Sequence, residues 1–249
     1  MTGEVEVLKS EPWTRIVKVA EDDRLLVRKT YRYPLHRSWR TLLQRSRAER
    51  EALALKATQA AGICCLTVVR FGTKRRLGGV VECWITTVFE PDCAPFRDYL
   101  HKPPETRMAG GWPRLRRRLG RQAAALLKDL HGAGVLWLTV TPRNVLVRGR
   151  PEDASLLLCD MPKAIRLRRN MWATYWAGLD LFDMCFASHR RLQFTRTDRL
   201  AMLIRYCGGD RTSARRLWRA LRRRTEIGNT FRRRLLTGLT RIGLVPTAR

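Results

Sequence analysis

Lys29, Glu51, Asn144 and Asp160 carry an ammonium, two carboxylates and a carboxamide, and these are the residue types that phosphoryl transfer uses. That reaction asks little covalent chemistry of a protein. It needs a metal ion held against phosphate oxygens, which an amide oxygen and a carboxylate can do, and a lysine that holds the phosphates while a glutamate orients it. Arg28 and Glu49 are the alternatives for the last two places. Taken singly, each residue has an ordinary explanation. A strand lysine is solvated, a helix glutamate among arginines is an i,i+4 partner, an asparagine shapes a turn and an aspartate ends a strand. Their order, and the elements between them, decide whether they act together.

The first third of the chain reads as strands with one helix. Val5-Glu6-Val7-Leu8 and Arg15-Ile16-Val17-Lys18-Val19 alternate or are β-branched, and Asp22-Asp23 makes a turn before a third strand, Leu25 to Lys29. Ser46 to Ala61 follows as a helix with Ala48, Ala52, Leu55 and Ala57 as its apolar positions, Glu51 among them, and Gly62 as its stop. Leu66 to Phe71 and Val80 to Phe89 are two more strands, with Lys74-Arg75-Arg76-Leu77-Gly78-Gly79 turning between them. After Glu90-Pro91-Asp92 the pattern becomes helical. Pro113 to His131 sets Leu115, Leu119, Ala123, Leu126, Leu127 and Leu130 on one face and arginines opposite, and His131-Gly132-Ala133-Gly134 ends it. Two short apolar runs, Asn144 to Val147 and Leu156 to Cys159, form a hairpin that leads into Asp160. From about Trp172 the chain is helical again, over Trp176–Ser188, Thr197–Cys207, Ser213–Arg223 and Asn229–Ile242. The expected fold is α+β and bilobal: a small β-rich lobe over residues 1–90, a hinge near residue 90, and a larger helical lobe over residues 91–249, with a cleft at the hinge.

The segment from His131 to Val147, HGAGVLWLTVTPRNVLV, resembles the catalytic loop of atypical kinases, H-x-x-G-x-x-H-x-D-L-x-P-x-N-x-L-V. Leu158-Cys159-Asp160-Met161-Pro162-Lys163-Ala164 stands where such kinases carry D-F-G or D-x-x-A, at matching spacing. Three further segments are similar to the lipopolysaccharide kinase (Kdo/WaaP) family: Lys29 to Pro34, Ser46 to Glu51 with Ala61-Gly62-Ile63, and Thr195 to Leu200 leading to Leu203-Ile204-Arg205-Tyr206. The resemblance covers residues 5 to 225 and implies a protein-kinase-like fold. It implies ATP held through Lys29 and Glu51, and Mg²⁺ held through Asn144 and Asp160.

The departures are as informative. The family's H-x-D becomes Trp137-Leu138-Thr139, so Thr139 stands where an aspartate should take the proton of the acceptor hydroxyl. A threonine hydroxyl has no useful basicity at neutral pH, and Val140, Thr141, Pro142 and Arg143 offer no substitute. The D-F-G glycine becomes Pro162, and the phosphate-covering turn, Ser10-Glu11-Pro12-Trp13-Thr14, has no glycine. The expected function is therefore a pseudokinase linked to cell-envelope glycolipid. The alternative is an active phosphotransferase on a Kdo or heptose hydroxyl, and the remote one is a basic nucleic-acid-binding module.

Composition sets the outer bounds. Hydrophobic residues make up 45% and charged residues 29%, so the chain folds rather than staying disordered. Fifty Lys plus Arg stand against 22 Asp plus Glu, a formal +28, which suits an acidic partner: nucleotide, lipopolysaccharide or another anionic glycolipid, or an anionic membrane surface. Nucleic acid is not expected, because neither aromatic interleaving nor a binding motif accompanies the charge. The seven cysteines show no metal-ligand spacing and suit a reducing compartment. The N-terminus has no signal-peptide core, and the longest nearly apolar run, Ile63 to Val69, is far short of a membrane span. The expected location is the cytoplasm, with peripheral contact at the inner face of the inner membrane.

Overall fold

The computed structural model describes residues 3–42, 44–101, 111–150, 153–167, 176–186, 194–224 and 226–241; the expected helix ends at Ser188 and Ile242 lie outside these. Strands β1 (Gly3–Glu11), β2 (Thr14–Glu21) and β3 (Arg24–Arg32) run as successive antiparallel hairpins. β4 (Val68–Arg76) and β5 (Gly79–Val88) complete a five-stranded sheet of order β1-β2-β3-β5-β4. Two of its hairpins close through two-residue turns with both central residues at positive φ, Asp22-Asp23 (47° and 58°) and Leu77-Gly78 (48° and 77°). This is the backbone that matches the right-handed twist of the flanking strands. β4 starts at Val68 instead of Leu66, and β5 stops at Val88. β4 runs past Phe71 to Arg76 and β5 begins at Gly79, because Lys74 to Arg76 pair with Gly79 to Glu82 and shorten the turn to Leu77-Gly78.

A short helix α1 (Leu35–Ser38) and a 3-10 turn (Trp39–Thr41) lead to α2 (Arg47–Ala60). Ser46 caps α2 by accepting from the Glu49 amide at 3.1 Å, and the helix stops at Gly62, whose φ of +73° only glycine adopts freely. Its buried face, Ala48, Glu51, Ala52 and Leu55, packs on β4 and β5.

Beyond the sheet come β6 (Cys93–Pro95), α3 (Phe96–His101) and α4 (Trp112–Gly132). Next are β7 (Val135–Leu136), a 3-10 turn (Pro142–Asn144), β8 (Val145–Arg148), β9 (Ser155–Leu158) and β10 (Ile165–Arg166). β6, β8 and β9 make one small sheet, and β7 pairs with β10. The helices α5 (Gly178–Cys185), α6 (Arg196–Tyr206), α7 (Arg211–Arg222) and α8 (Glu226–Arg241) finish the described chain. β6, β7 and β10 are too short for an alternation to show in sequence. One hydrophobic core joins sheet and helices, from Tyr31, Leu55 and Ile85 through Trp137 and Met161 to Leu119, Leu127 and Met202. The mixed α+β arrangement, sheet first and helices after, is the fold class expected from sequence.

The N-terminus of α6 carries the strongest local anchor of the helical part. Thr195 and Asp198 form a reciprocal capping box, and the buried Asp198 also accepts from Arg116 Nε at 2.8 Å and Arg117 Nε at 3.3 Å on α4. Burial pushes the Asp198 carboxyl up, but hydrogen bonds from Thr195 and the two arginines outweigh it and hold the group below its ordinary value. Asp198→Ala should destabilise the protein by about 3 kcal/mol at neutral pH. A depressed carboxylate stabilises the fold above its unfolded pKa and loses that contribution as pH falls through the folded value. The deficit of the variant should therefore shrink below about pH 4. Denaturant midpoints of both proteins across acid pH measure this; a deficit independent of pH would refute the assignment.

Candidate functional site

Lys29 lies near the end of β3, opposite Ile16 of β2 and Ile85 of β5. Its Nζ is 3.3 Å from Glu51 Oε1 on α2 and 2.5 Å from Asp160 Oδ1 just after β9. Tyr31 is two residues further along the same strand and so shares the face of Lys29. Its hydroxyl donates to Glu51 Oε2 at 2.8 Å, which leaves both oxygens of the buried glutamate partnered. Burial pushes the Glu51 carboxyl above its ordinary value against the pull of Lys29, and burial together with Glu51 raises the Tyr31 hydroxyl. The alternatives left open by sequence fall away on geometry. Glu49 pairs with Arg45 at 3.5 Å, and strand alternation puts Arg28 on the opposite face of the sheet from Lys29.

Asn144 ends the 3-10 turn and is buried. Its Nδ2 donates to the Thr139 carbonyl at 3.0 Å and its own carbonyl accepts from the Cys159 amide at 3.1 Å, so the loop and the strand carrying Asp160 are tied at that point. This leaves Asn144 Oδ1 as the side-chain atom with lone pairs to offer. Asp160 sits in the left-handed region at φ +55°, and its carbonyl accepts from Trp137 Nε1 at 3.1 Å. Thr139 has its Oγ1 buried with no hydrogen-bond partner among the described residues. No Asp or Glu occurs between residues 130 and 151.

Lys29, Glu51, Asn144 and Asp160 all line one cleft of about 680 Å³, within the range of small-molecule and cofactor sites. Ile16, Val27, Ile85 and Leu146 give it apolar walls, Phe89 and Glu90 line it where the sheet passes into the helical part, and Arg47 and Arg143 add positive charge. Among the described residues, no group of three or more His, Cys, Asp or Glu is placed to hold a metal ion. A cation held by Asn144 and Asp160 thus needs oxygens from a ligand or water to fill its shell.

Sequence reasoning missed the residue that holds the loop itself. Asp180 on α5, fully buried, accepts from the Trp137 and Leu138 amides, both at 2.7 Å, and lies 3.1 Å from His131 Nε2. His131 Nδ1 is in turn 2.9 Å from the Tyr206 hydroxyl. Leu138 stands at φ +64°, a conformation a leucine adopts only when its surroundings over-determine it, and the Asp180 carboxylate is what does so. A signal existed: Gly178-Leu179-Asp180-Leu181-Phe182-Asp183-Met184-Cys185 is an apolar helix with two carboxylates that must find buried partners. The second, Asp183, pairs with Arg233 of α8.

A family model described as the lipopolysaccharide kinase (Kdo/WaaP) family matches residues 7–206. Among solved structures, "WaaP in complex with acyl carrier protein" is similar over 88% of this chain and 86% of that one, with a TM-score of 0.65 and 22% identity, which speaks for the fold. No curated protein sequence matches the chain.

Asp180→Ala removes the acceptor for two buried amides and a histidine. It should cost about 3 to 5 kcal/mol and loosen the segment around Leu138. Hydrogen exchange at the Trp137 and Leu138 amides reads this directly. Unchanged protection there would show that the loop holds itself.

Proposed function

The chain belongs to the lipopolysaccharide kinase (Kdo/WaaP) family, and we propose that it is a nucleotide-binding member in which the transfer step has lost its base, a pseudokinase linked to cell-envelope glycolipid. The observation that carries this reading is the joining of Lys29, Glu51 and Asp160 in one cleft beside Asn144, with a threonine and no carboxylate at the base position.

In this reading the division falls near residue 90, and ATP occupies the cleft between the small lobe and the helical remainder. The base rests between the apolar walls of Ile16, Val27 and Leu146, and the phosphates point toward Lys29. Glu51, itself fixed by Tyr31, keeps the ammonium in the cleft, while the contact of Lys29 with Asp160 gives way to phosphate. Asn144 Oδ1 and the Asp160 carboxylate are oxygen donors of the kind a hard divalent cation takes. A Mg²⁺ held by Asn144 and Asp160 would supply positive charge against the phosphates. Arg47 and Arg143, both at the cleft, add positive charge where an anionic acceptor would enter.

The second reading, slow but genuine transfer to a Kdo or heptose hydroxyl, is favoured by the complete set of Lys29, Glu51, Asn144 and Asp160. Positioning and electrostatics carry much of phosphoryl transfer. In either reading the partner is a membrane glycolipid, which is the phosphate acceptor in the second, and the protein works at the cytoplasmic side of an anionic membrane. No described helix is long and apolar enough to cross a membrane, and the contact we propose is peripheral.

Mg-ATP should bind to the natural protein by calorimetry, and Asp160→Ala should lower the Mg²⁺-dependent part of that affinity. Phosphate transfer to purified lipopolysaccharide core should be very weak. Thr139→Asp should raise it by about 10² to 10⁴, the usual contribution of a positioned acid–base group. Transfer by the natural protein at rates typical of kinases would refute the pseudokinase reading, and no Mg-ATP binding would refute both.

A further inference from the structure

The turn between β4 and β5 is built against ordinary residue preference. Its backbone requires positive φ at both central positions, for which Asn-Gly is the favoured pair, yet the first position holds Leu77 at φ +48°. Leu77 is 95% exposed. A leucine in a strained conformation with no packing to offset it contributes nothing to this fold.

The turn does not stand alone. A Cβ placed on Gly78 would lie 3.0 Å from Leu42 Cδ2, and the Val80 amide donates to Thr41 Oγ1 at 2.8 Å, so the tip rests on the 3-10 turn after α1. Arg75 ties the two segments. Its Nη1 donates to the Gly78 carbonyl at 2.9 Å and the Thr41 carbonyl at 3.4 Å, and its Nη2 to the Gln44 carbonyl at 2.6 Å. The supporting segment exposes two more large apolar side chains, Trp39 at 60% and Leu42 at 44%. Arg40 lies over the Trp39 ring, and Lys74 and Arg76 stand exposed beside the tip. Neither 38–45 nor 73–79 contains an Asp or Glu. The result is a braced knob with apolar residues at its end and a cationic collar.

We propose that this knob, Leu77 with Trp39 and Leu42 inside the collar of Arg40, Lys74 and Arg76, is the element by which the protein inserts into the headgroup region of an anionic bilayer. The inference rests on the reading above in which the partner is a membrane glycolipid, and it names the surface that makes the contact. Charge favours this occupant over a second copy of the chain, because self-association through the knob would bring two collars of Arg40, Lys74 and Arg76 together, with Glu82 opposite Lys74 as the one acid at their base. Tryptophan and leucine at the tip suit the interface between headgroups and acyl chains, and the cations meet anionic lipid at the same depth.

Leu77→Asn tests the assignment, because asparagine is the residue the turn prefers. The variant should keep or raise its melting temperature and keep Mg-ATP binding. Its partition onto phosphatidylcholine–phosphatidylglycerol vesicles should fall about tenfold, as loss of one inserted leucine requires, and Trp39→Ser should act in the same direction. The natural protein should not sediment with phosphatidylcholine vesicles alone, and its binding to anionic vesicles should weaken between about 0.1 M and 1 M salt as the Debye length contracts. Phe231→Ser, on a separate exposed apolar set at Ile227, Phe231 and Leu235 of α8, serves as the comparison. Salt-sensitive binding that Leu77→Asn leaves intact, or that Phe231→Ser removes instead, overturns the knob and spares the membrane reading. A melting temperature lowered by Leu77→Asn, or a dimer of the natural protein that the variant dissociates, also overturns it. No binding of the natural protein to anionic vesicles overturns the knob and the membrane reading together, while Mg-ATP affinity reports on the cleft separately.

Discussion

Everything that converges on the cleft hangs from the buried carboxylate of Asp180. A charge taken out of water this completely is tolerated only if its lone pairs are met, and here they are met by two backbone amides and an imidazole. That requirement pins Trp137 and Leu138. Trp137 then reaches across with its indole to the carbonyl of Asp160, and the carboxylate of Asp160 holds Lys29. Lys29 holds Glu51, and Glu51 is closed by Tyr31. A single chain of polar contacts thus runs from α5 through the loop and the hairpin to the sheet and α2. Each step orients the next, and the buried members, Asp180, His131 and Glu51, are costly to leave unpaired.

The contacts in this chain show which parts of the site a sequence can reveal. Lys29, Glu51, Asn144 and Asp160 were legible because each sits on an element whose type is set locally: a strand between two turns, a capped helix, an apolar hairpin. Their order along the chain was the signal. What the order left open, Arg28 against Lys29 and Glu49 against Glu51, was decided by strand alternation and by an i,i+4 partner at Arg45, both of which need the exact element to be known. Asp180 and Tyr31 were not legible. Asp180 meets partners 42 to 49 residues away, and nothing near it in sequence announces them. The strand ends were misjudged for a similar reason. Lys74 to Arg76 look like turn residues alone and become strand only because Gly79 to Glu82 pair with them.

Charge is distributed with the same selectivity. The formal +28 suggests a uniformly basic molecule, but the centre of the cleft is balanced, with Lys29 between two carboxylates. The excess lies on solvated helix faces, as on α7, where Arg211, Arg215, Arg216, Arg219 and Arg222 are all exposed while Ala214 and Leu221 face inward. A basic exterior around a neutralised centre raises the local concentration of anions without trapping them at the site. Net charge alone could not distinguish this from a basic cleft.

The two departures in the loop regions act together. Met161, next to Asp160, is fully buried and meets Thr58 of α2, whose Oγ1 lies 3.8 Å from the Met161 sulfur. Pro162 follows, with φ fixed by its ring and no amide to donate. A glycine at that position would let the segment after the aspartate swing; a proline behind a buried methionine does not. Asp160 is therefore held in its left-handed conformation from both sides, by Trp137 at its carbonyl and by Met161 and Pro162 after it. Kinase-fold proteins that switch do so by moving this segment. Here the segment after Asp160 is braced, and the Thr139 hydroxyl in the facing loop has no hydrogen-bond partner among the described residues. Both changes fall on segments that border the cleft: one stiffens the backbone after Asp160, and the other places a hydroxyl in the loop beside Asn144.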